Sequence, residues 1–477
     1  MVTARKLPLT ALIVGLAMVL GGAARMYRLA DRSITHDEVN IQGLSPGADI
    51  SVPPQPLNLA HVVTTNLFHD TNPPGYPLMM FVVTRVFGTS LTALRLPSVL
   101  FGVASIGLVY GLGLLIGQRV PGCIAALLLA FNGYATVLSQ TADTYSLVCF
   151  LSLLATILLI LLSQETSRRR VIEFCYGAVM LVGLASHHFF WALLATQMIW
   201  VIANAWVQER RLPRLLNIQI LVMLLGSPLL ALARLQSLNQ VAEFGARFAV
   251  IAREYVQFFW ILPGFDDIAA GNGIDDFFPP AVMLVLRALL CLFCLWLLVV
   301  GFRRLYPVDD PTLSAPSKPF IGLWILATLL ATLIDIGLVF ATRQHIAGTQ
   351  GPWVHTFRGV ELLSVLPSIL IMGAITLSES WQHLRAFGRT LGPQALAGSQ
   401  RLVLLQTFLP FAMLAIASLF LRPLLNPRGL LFVAPYLLLA LACGIASVGR
   451  RSRSLVVGLF VVLLTLHAYS LWAYTGH

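Results

Sequence analysis

The stretch Tyr145–Leu162, YSLVCFLSLLATILLILL, decides the fold class of this chain. It carries no charged residue and is rich in Leu and Ile, and it is long enough to cross the hydrocarbon core of a bilayer as an α-helix. Similar runs recur along the 477 residues, of which 58% are hydrophobic and 11% charged. Because the runs are continuous and do not alternate with period two, they predict helices and exclude a transmembrane β-barrel. The sequence therefore predicts an all-α polytopic membrane protein.

Working outward from this stretch, we predict about thirteen transmembrane helices. They lie near Leu9–Met26, Leu96–Ile116, Val120–Leu138, Tyr145–Leu162, Val171–Ala185, Phe189–Val207, Leu215–Leu232, Pro280–Val300, Phe320–Phe340, Val360–Leu377, Leu402–Leu421, Leu430–Val448 and Leu455–Trp472. The run Leu78–Phe87 is too short to cross about 30 Å at about 1.5 Å per residue, so we predict an interfacial helix there. Residues 1–477 are expected to form one transmembrane domain without a separate soluble domain. Its longest extracytoplasmic loops are expected at about 30–94 and about 234–279.

The distribution of basic residues fixes the predicted orientation. With a cytoplasmic N-terminus, every predicted cytoplasmic loop is basic, as the positive-inside rule requires. These loops contain Arg119; Arg168, Arg169 and Arg170; Arg210, Arg211 and Arg214; Arg303, Arg304 and Lys318; Arg385, Arg389 and Arg401; and Arg450, Arg451 and Arg453. If Leu78–Phe87 crossed the membrane, these clusters would fall on the wrong side. The net charge of +11 is thereby explained without nucleic acid as a partner.

The positions of the cysteines and the acidic residues do not predict a bound metal or cofactor. All six cysteines lie inside apolar runs, so no disulfide framework is predicted. Cys291 and Cys294 have a zinc-type spacing, but they lie in the middle of a predicted helix without a second ligand pair nearby. The acidic run between Asp266 and Asp276 misses the spacing of an EF-hand. A divalent cation is left open as an alternative. The N-terminus, with Arg5 and Lys6 before the first run, predicts a retained first span and not a cleaved signal peptide.

Two adjacent carboxylates, Asp37 and Glu38, follow the first span in the polar segment THDEVN, residues 35–40. A carboxylate in this place can deprotonate an acceptor hydroxyl in a glycosyl transfer, and we interpret Asp37 as that general base. Glu38 would be a second catalytic carboxylate, or it would orient Asp37 or the acceptor. The competing interpretation is that the two acids only cap the N-terminus of a helix.

Several motifs in order resemble one family. They are Asp37–Glu38, the segment DTNPPGY at residues 70–76, LRLPSVLFG at residues 94–102, and Ser139–Gln140 leading into Tyr145. Together they resemble bacterial members of the dolichyl-phosphate-mannose-protein mannosyltransferase superfamily, of the GT-C class, over about the first 150 residues. Residues 186–189 and 426–435 resemble the same family more weakly. The resemblance implies the GT-C fold in the cell (inner) membrane and transfer of a sugar from a polyprenyl-phosphate carrier on the extracytoplasmic side, with Asp37 as base.

The same resemblance suggests substrate-binding residues. Asp70 and Tyr76 match the family pattern, although Asn72 stands where many members have His. Asp143 stands near positions where many members carry Glu and Arg, and it places a carboxylate in the second extracytoplasmic loop. His187 is a further candidate at the end of a span, where a histidine that only caps the helix or reaches the interface is the alternative.

The leaving phosphate of a lipid donor requires cations, and the chain has few on the extracytoplasmic side. Its only lysines, Lys6 and Lys318, are predicted to be cytoplasmic, so arginine must bind the phosphate. The candidates are Arg85, Arg95, Arg234, Arg247, Arg253, Arg343, Arg358 and Arg428. Arg428 ranks first because it heads a span at the depth of a lipid phosphate, and Arg358 ranks second. Interfacial snorkelling is the alternative for both. Arg287 and Asp335, both predicted inside the bilayer, are expected to pair.

Two other classes of function compete with a transferase. One is a transporter or flippase of a lipid-linked envelope intermediate, although the chain lacks the two symmetric halves with Gly- or Pro-broken helices that transporters often show. The other is a non-catalytic assembly subunit, which would not need Asp37 and Glu38. The sequence does not specify the sugar, the length of the lipid, or whether the acceptor is a protein, a lipid or a glycan.

Overall fold

The structure is a computed structural model that describes residues 8–32, 38, 59, 73–164, 169–208, 212–237, 293–302, 304–305, 398–420, 428–449 and parts of 457–468. Asp37, Asp70 and Arg358 lie outside these residues, as does the predicted pair Arg287 and Asp335.

The described part of the chain is helical. Its helices are α1 (Leu9–Met26), α2 (Gly75–Phe87), α3 (Leu91–Leu115), α4 (Arg119–Phe131), α5 (Gly133–Ser139), α6 (Tyr145–Ser163), α7 (Arg169–Ser186), α8 (Phe190–Gln208), α9 (Leu212–Ser237), α10 (Phe293–Phe302), α11 (Ser399–Phe420), a 3-10 helix (Arg428–Phe432) and α12 (Ala434–Gly449). The predicted all-α polytopic membrane fold is confirmed.

Four helices in the described residues are long and apolar enough to cross a membrane by themselves, namely α1, α3, α6 and the Ser399–Ser418 part of α11. The α4–α5 pair would be a fifth span if its two helices act as one. Shorter apolar helices lie between them. The predicted count of about thirteen spans is therefore not confirmed, whereas the bounds of α1 agree with the predicted span residue for residue.

The predicted continuous span Val120–Leu138 is wrong, because the chain breaks into α4 and α5 with a bend of 61°. At the break, Asn132 has an extended backbone and its side chain accepts a hydrogen bond from the amide of Ala135 at 2.9 Å. Asparagine is a favoured N-cap because its side chain satisfies an amide that has no partner within the new helix. The predicted helix Leu430–Val448 is also divided, since it begins as a 3-10 helix and becomes α-helical at Ala434.

The predicted interfacial helix is present as α2 and begins three residues earlier than expected, at Gly75. Its 13 residues span about 20 Å, which is less than the thickness of the hydrocarbon core. One face of α2 is buried through Tyr76, Met80 and Thr84, while Val82 and Val86 are exposed. Gly75 is required by close packing, since a Cβ there would lie 2.5 Å from the carbonyl oxygen of Ala185.

Two buried side chains cap the ends of α1 and α4, one from α1 and the other from the residue that follows α5. The guanidinium of Arg25, near the end of α1, donates to the carbonyls of Leu129 at 3.1 Å and Ala130 at 2.9 Å. The side-chain amide of Gln140, which follows α5, donates to the carbonyls of Arg25 at 3.0 Å and Tyr27 at 3.1 Å at the end of α1. A cation at the last carbonyls of a helix is favoured by the helix dipole, so Arg25 stabilises the break between α4 and α5.

Candidate active site

A buried ion pair joins Glu38 to Arg95 in the first turns of α3. The guanidinium donates to both carboxylate oxygens, from Nε to Oε1 at 2.7 Å and from Nη2 to Oε2 at 2.8 Å. Both side chains are 1% exposed. A bidentate contact of this kind is the strongest form of arginine–carboxylate pairing, and it fixes the orientation of the carboxylate as well as its position.

The same two side chains bind three backbone groups in two segments of the chain. Arg95 donates through Nη1 to the carbonyl of Leu29 at 2.7 Å and to that of Arg32 at 3.2 Å. Glu38 accepts a third hydrogen bond, from the amide of Ala142 to Oε1 at 2.8 Å. The pair therefore ties the segment after α1 to the start of α3 and to the turn between α5 and α6.

Tyr76 and Asp143 meet next to this pair. The hydroxyl of Tyr76 lies 3.0 Å from the Oγ of Ser98, which donates to the backbone carbonyl of Asp143 at 3.2 Å. Burial raises the pKa of Tyr76 far above its usual value, and the negative charges of Asp143 and Glu38 raise it further, although the hydrogen bond with Ser98 opposes the shift. Tyr76 is therefore a neutral hydrogen-bonding group that faces two carboxylates.

His187 lies in the turn between α7 and α8. Its Nδ1 accepts a hydrogen bond from the amide of Phe189 at 3.1 Å, so the neutral ring carries its proton on Nε2. Burial lowers the pKa of His187 to about 3, with a further contribution from the neighbouring His188. The ring lies 5.9 Å from that of Tyr145 and 4.5 Å from that of Phe189. The turn is also held by Thr144, whose hydroxyl donates to the carbonyl of Ser186 at 3.1 Å.

Arg428 reaches this region from the distant part of the chain. It is partly buried and is the first residue of the 3-10 helix. The next residue, Gly429, packs so closely on the ring of Phe189 that a Cβ would overlap it. A chain of contacts thus runs from the start of the 3-10 helix through Phe189 and His187 to Tyr145, which follows Asp143 by two residues.

The structure brings together five of the predicted site residues. Glu38, Tyr76, Asp143, His187 and Arg428 all lie at the ends of helices that meet at one end of the bundle. The opposite helix ends carry basic residues, including Arg169 and Arg214, which both bind Glu173 at 3.0 Å. Asp37, Asp70 and Arg358 are outside the described residues.

Arg95 corrects one prediction and shows what sequence reasoning missed. It ranked among the cations for a donor phosphate, but its guanidinium is committed to Glu38 and to two carbonyls. The sequence did contain a sign that Arg95 needs a counter-charge. It is the only basic residue between Arg85 and Arg119, and it stands at the start of a long apolar run. Arg25 and Gln140 were not given their capping roles, because a side chain in one span cannot be matched to a helix end in another from sequence alone.

In chemical terms, this end of the bundle offers oriented carboxylates, neutral hydroxyl and imidazole groups, and an arginine, Arg428, at the start of the 3-10 helix that packs against Phe189. Within the described residues, no group of three His, Cys, Asp or Glu side chains could hold a metal ion. The arrangement is suited to moving a proton from a hydroxyl and to binding an anionic group.

Helices of membrane length, with a cluster of buried polar and charged side chains where several of them end, define a polytopic membrane protein with a polar site at one end of its helices. Residues 71–231 match the family model described as dolichyl-phosphate-mannose-protein mannosyltransferase. This segment, which contains Tyr76, Arg95, Asp143 and His187, is therefore similar to that family, as its motifs predicted. No curated protein matches the chain significantly.

Similar solved structures are distant. The apo oligosaccharyltransferase of Archaeoglobus fulgidus shares 12% identity at a TM-score of 0.47, over 99% of this chain and 56% of that one. The AglB oligosaccharyltransferase of the same organism, in complex with an inhibitory peptide and a dolichol-phosphate, shares 13% identity at a TM-score of 0.40, over 98% and 55%. ArnT from Cupriavidus metallidurans, bound to undecaprenyl phosphate, shares 16% at 0.34, over 92% and 77%. The chain spans about half the length of the archaeal proteins.

Proposed function

We propose that this protein is a membrane glycosyltransferase that transfers a sugar from a polyprenyl-phosphate carrier to an acceptor hydroxyl. The reaction is proposed to take place on the extracytoplasmic side of the inner membrane, with the N-terminus in the cytoplasm. The observation that carries the proposal is the buried Glu38–Arg95 pair, because Arg95 lies inside the segment that matches the family model and the pair holds Glu38 next to Tyr76 and to the turn that contains Asp143.

In the proposed reaction, the acceptor oxygen attacks the anomeric carbon of the sugar as its proton passes to the carboxylate of Asp37. The bond between that carbon and the phosphate oxygen breaks, and the polyprenyl phosphate leaves with the electron pair. Arg428 is proposed to stabilise the charge that develops on the phosphate. Glu38 is assigned a positioning role, since both of its oxygens already accept hydrogen bonds from Arg95 and one also accepts from Ala142.

Tyr76, Asp143 and His187 are proposed to bind the sugar or the acceptor. Tyr76 and His187 would do so as neutral groups, and the Nε2–H of His187 is a donor whose direction is fixed by the bond at Nδ1. Asp70 and Arg358 remain proposed contacts on the strength of their sequence positions alone.

The test is a transfer assay with purified protein and a panel of radiolabelled polyprenyl-phosphate sugars, in which any product would also exclude a simple transporter or flippase. Asp37→Asn should abolish product while leaving the protein folded and inserted, because loss of a general base typically costs about 10²- to 10⁴-fold in rate. Asp31→Asn is the matched control, since Asp31 lies in the same loop with a side chain that is 63% exposed. Near-normal transfer by Asp37→Asn would remove Asp37 from the mechanism.

A further inference from the structure

A continuous chain of buried polar side chains crosses the interior of the helical bundle. Gln219 on α9 donates to the hydroxyl of Tyr176 on α7 at 2.9 Å, and Tyr176 donates to the Oε1 of Gln197 on α8 at 2.7 Å. Gln197 then donates to the hydroxyl of Thr156 on α6 at 3.3 Å. The hydroxyl of Thr156 lies 2.8 Å from that of Tyr436 on α12.

The chain ends at the backbone of the 3-10 helix. The hydroxyl of Tyr436 donates to the carbonyl of Ser152 on α6 at 2.8 Å. Ser152 in turn shares its hydroxyl proton between the carbonyl of Cys149 in its own helix at 2.9 Å and the carbonyl of Phe432 at 3.2 Å. Phe432 is the last residue of the 3-10 helix that begins at Arg428. We call this series from Gln219 to Phe432 the polar chain.

Every side chain that donates in the polar chain is fully buried. Polar groups inside a membrane protein are costly unless they are hydrogen-bonded, and they tend to be kept where they serve function. Buried polar side chains can also serve only to hold neighbouring helices together. The end of the polar chain favours a functional role over simple adhesion. Its last two bonds hold the junction between the 3-10 helix and α12 against α6.

Helix α6 is the element that the polar chain shares with the acidic site. Its first residue, Tyr145, packs beside His187 and follows Asp143, while its middle residues Ser152 and Thr156 hold the start of α12. The register of the 3-10 helix along α6 therefore sets how far Arg428 lies from the carboxylates. A shift of one residue along a helix would move it by about 1.5 Å.

We propose that Tyr436 is a positioning residue for the lipid donor: its hydroxyl fixes the 3-10 helix against α6 and so places Arg428 over the donor phosphate. This inference rests on the proposed function. Tyr436 does not touch the donor and acts only through Arg428.

The matched control is Tyr110, whose hydroxyl lies 2.8 Å from that of Thr10 near the opposite end of the bundle. Tyr110→Phe and Tyr436→Phe each remove a tyrosine–threonine hydrogen bond, partly buried at Tyr110 and buried at Tyr436, and only the second should affect the donor. Binding of undecaprenyl phosphate is measured with purified protein in detergent, together with KM and kcat for the polyprenyl-phosphate sugar. Tyr436→Phe should raise both the Kd and the KM by about threefold to tenfold, because it loses the bonds with Thr156 and with the carbonyl of Ser152. Tyr110→Phe should leave both constants as in the wild type.

A double-mutant cycle tests the route through Arg428. If Tyr436 acts by placing Arg428, then Tyr436→Phe should add no further loss of affinity in an Arg428→Lys background. A fully additive loss would overturn the inference, and so would an unchanged Kd in Tyr436→Phe or an equal loss in Tyr110→Phe. If Tyr436→Phe does not fold, Ser152→Ala removes the bond to Phe432 and should give the same selective loss of affinity.

The two proposals fail in different ways. Wild-type protein that neither binds undecaprenyl phosphate nor transfers a sugar would overturn the proposed function and this inference with it. Wild-type protein that binds the lipid while Tyr436→Phe and Ser152→Ala bind it equally well would overturn the inference alone.

Discussion

Replacing Glu38 by Gln should destabilise the protein strongly, because it leaves a buried arginine without its counter-charge. The glutamine keeps the shape of the side chain, but its amide can no longer accept two bonds from the guanidinium of Arg95. Both side chains are 1% exposed, so water cannot take the place of the lost carboxylate. Breaking one partner of a buried ion pair typically costs about 3–5 kcal/mol, and we expect a loss of this size in the free energy of unfolding.

A second substitution separates the ion pair from the rest of the contacts. In Glu38→Gln combined with Arg95→Met, the uncompensated charge is gone, and the glutamine oxygen can still accept from the amide of Ala142. We expect stability to recover, with a coupling energy towards the upper end of the usual range of about 0.5–3 kcal/mol. Activity should stay low, since the carbonyls of Leu29 and Arg32 would no longer be bound and the acidic loop would not be held.

The measurement is reversible denaturant unfolding in mild detergent, alongside the transfer assay. The exposed pair of Arg28 and Asp31, 3.5 Å apart, supplies the control, and Asp31→Asn should change stability by no more than about 0.5 kcal/mol. If Glu38→Gln proves as mild as Asp31→Asn, the pair does not anchor the loop and the positioning role of Glu38 is wrong.

Three further predictions concern single residues. Arg428→Lys should raise the KM for the lipid donor at least several-fold, since lysine cannot form the bidentate contact of a guanidinium, and unchanged donor kinetics would mean that Arg428 only reaches the interface. Because the pKa of His187 is about 3 in the folded protein and near 6.5 when unfolded, the unfolded state binds more protons below neutrality, so stability should fall by about 2 kcal/mol from pH 7 to pH 5. His187→Asn should reduce this dependence, and unfolding curves at the two pH values would show whether it does. Arg25→Met should lower stability by about 2–4 kcal/mol in the same assay, because the last carbonyls of α4 lose their charged donor; a loss below about 0.5 kcal/mol would contradict the capping role.

The spans could be predicted because hydrophobic length alone decides them. The predicted and observed bounds of α1 coincide, and those of α6 differ by one residue at its end. The break at Asn132 could not be found in this way, since a single capping residue barely changes the hydrophobicity of the run around it. Its stability depends on the guanidinium of Arg25, which comes from about a hundred residues earlier in the chain.

For the candidate site, the sequence proposed the residues but not their partners. Motif order selected Glu38, Tyr76, Asp143, His187 and Arg428, and the helix ends bring them to one side of the bundle. The partners of these residues were not predictable, because Glu38 and Arg95 are separated by 57 residues and either could have bound another charge. Sequence position therefore proposed which residues share a site, whereas the partners of each described residue needed the contacts.

The proposed division of work is clearest in the adjacent acids Asp37 and Glu38. A general base must exchange a proton during each turnover, and a carboxylate that already accepts three buried hydrogen bonds would lose them on protonation. Glu38 is therefore suited to hold the loop and not to serve as base. Its charge compensates Arg95, its geometry is fixed, and its neighbour Asp37 is carried at a set distance along the backbone. Asp37→Asn should then reduce kcat without loss of stability, whereas Glu38→Gln should reduce both, and equal stability in the two variants would contradict this assignment.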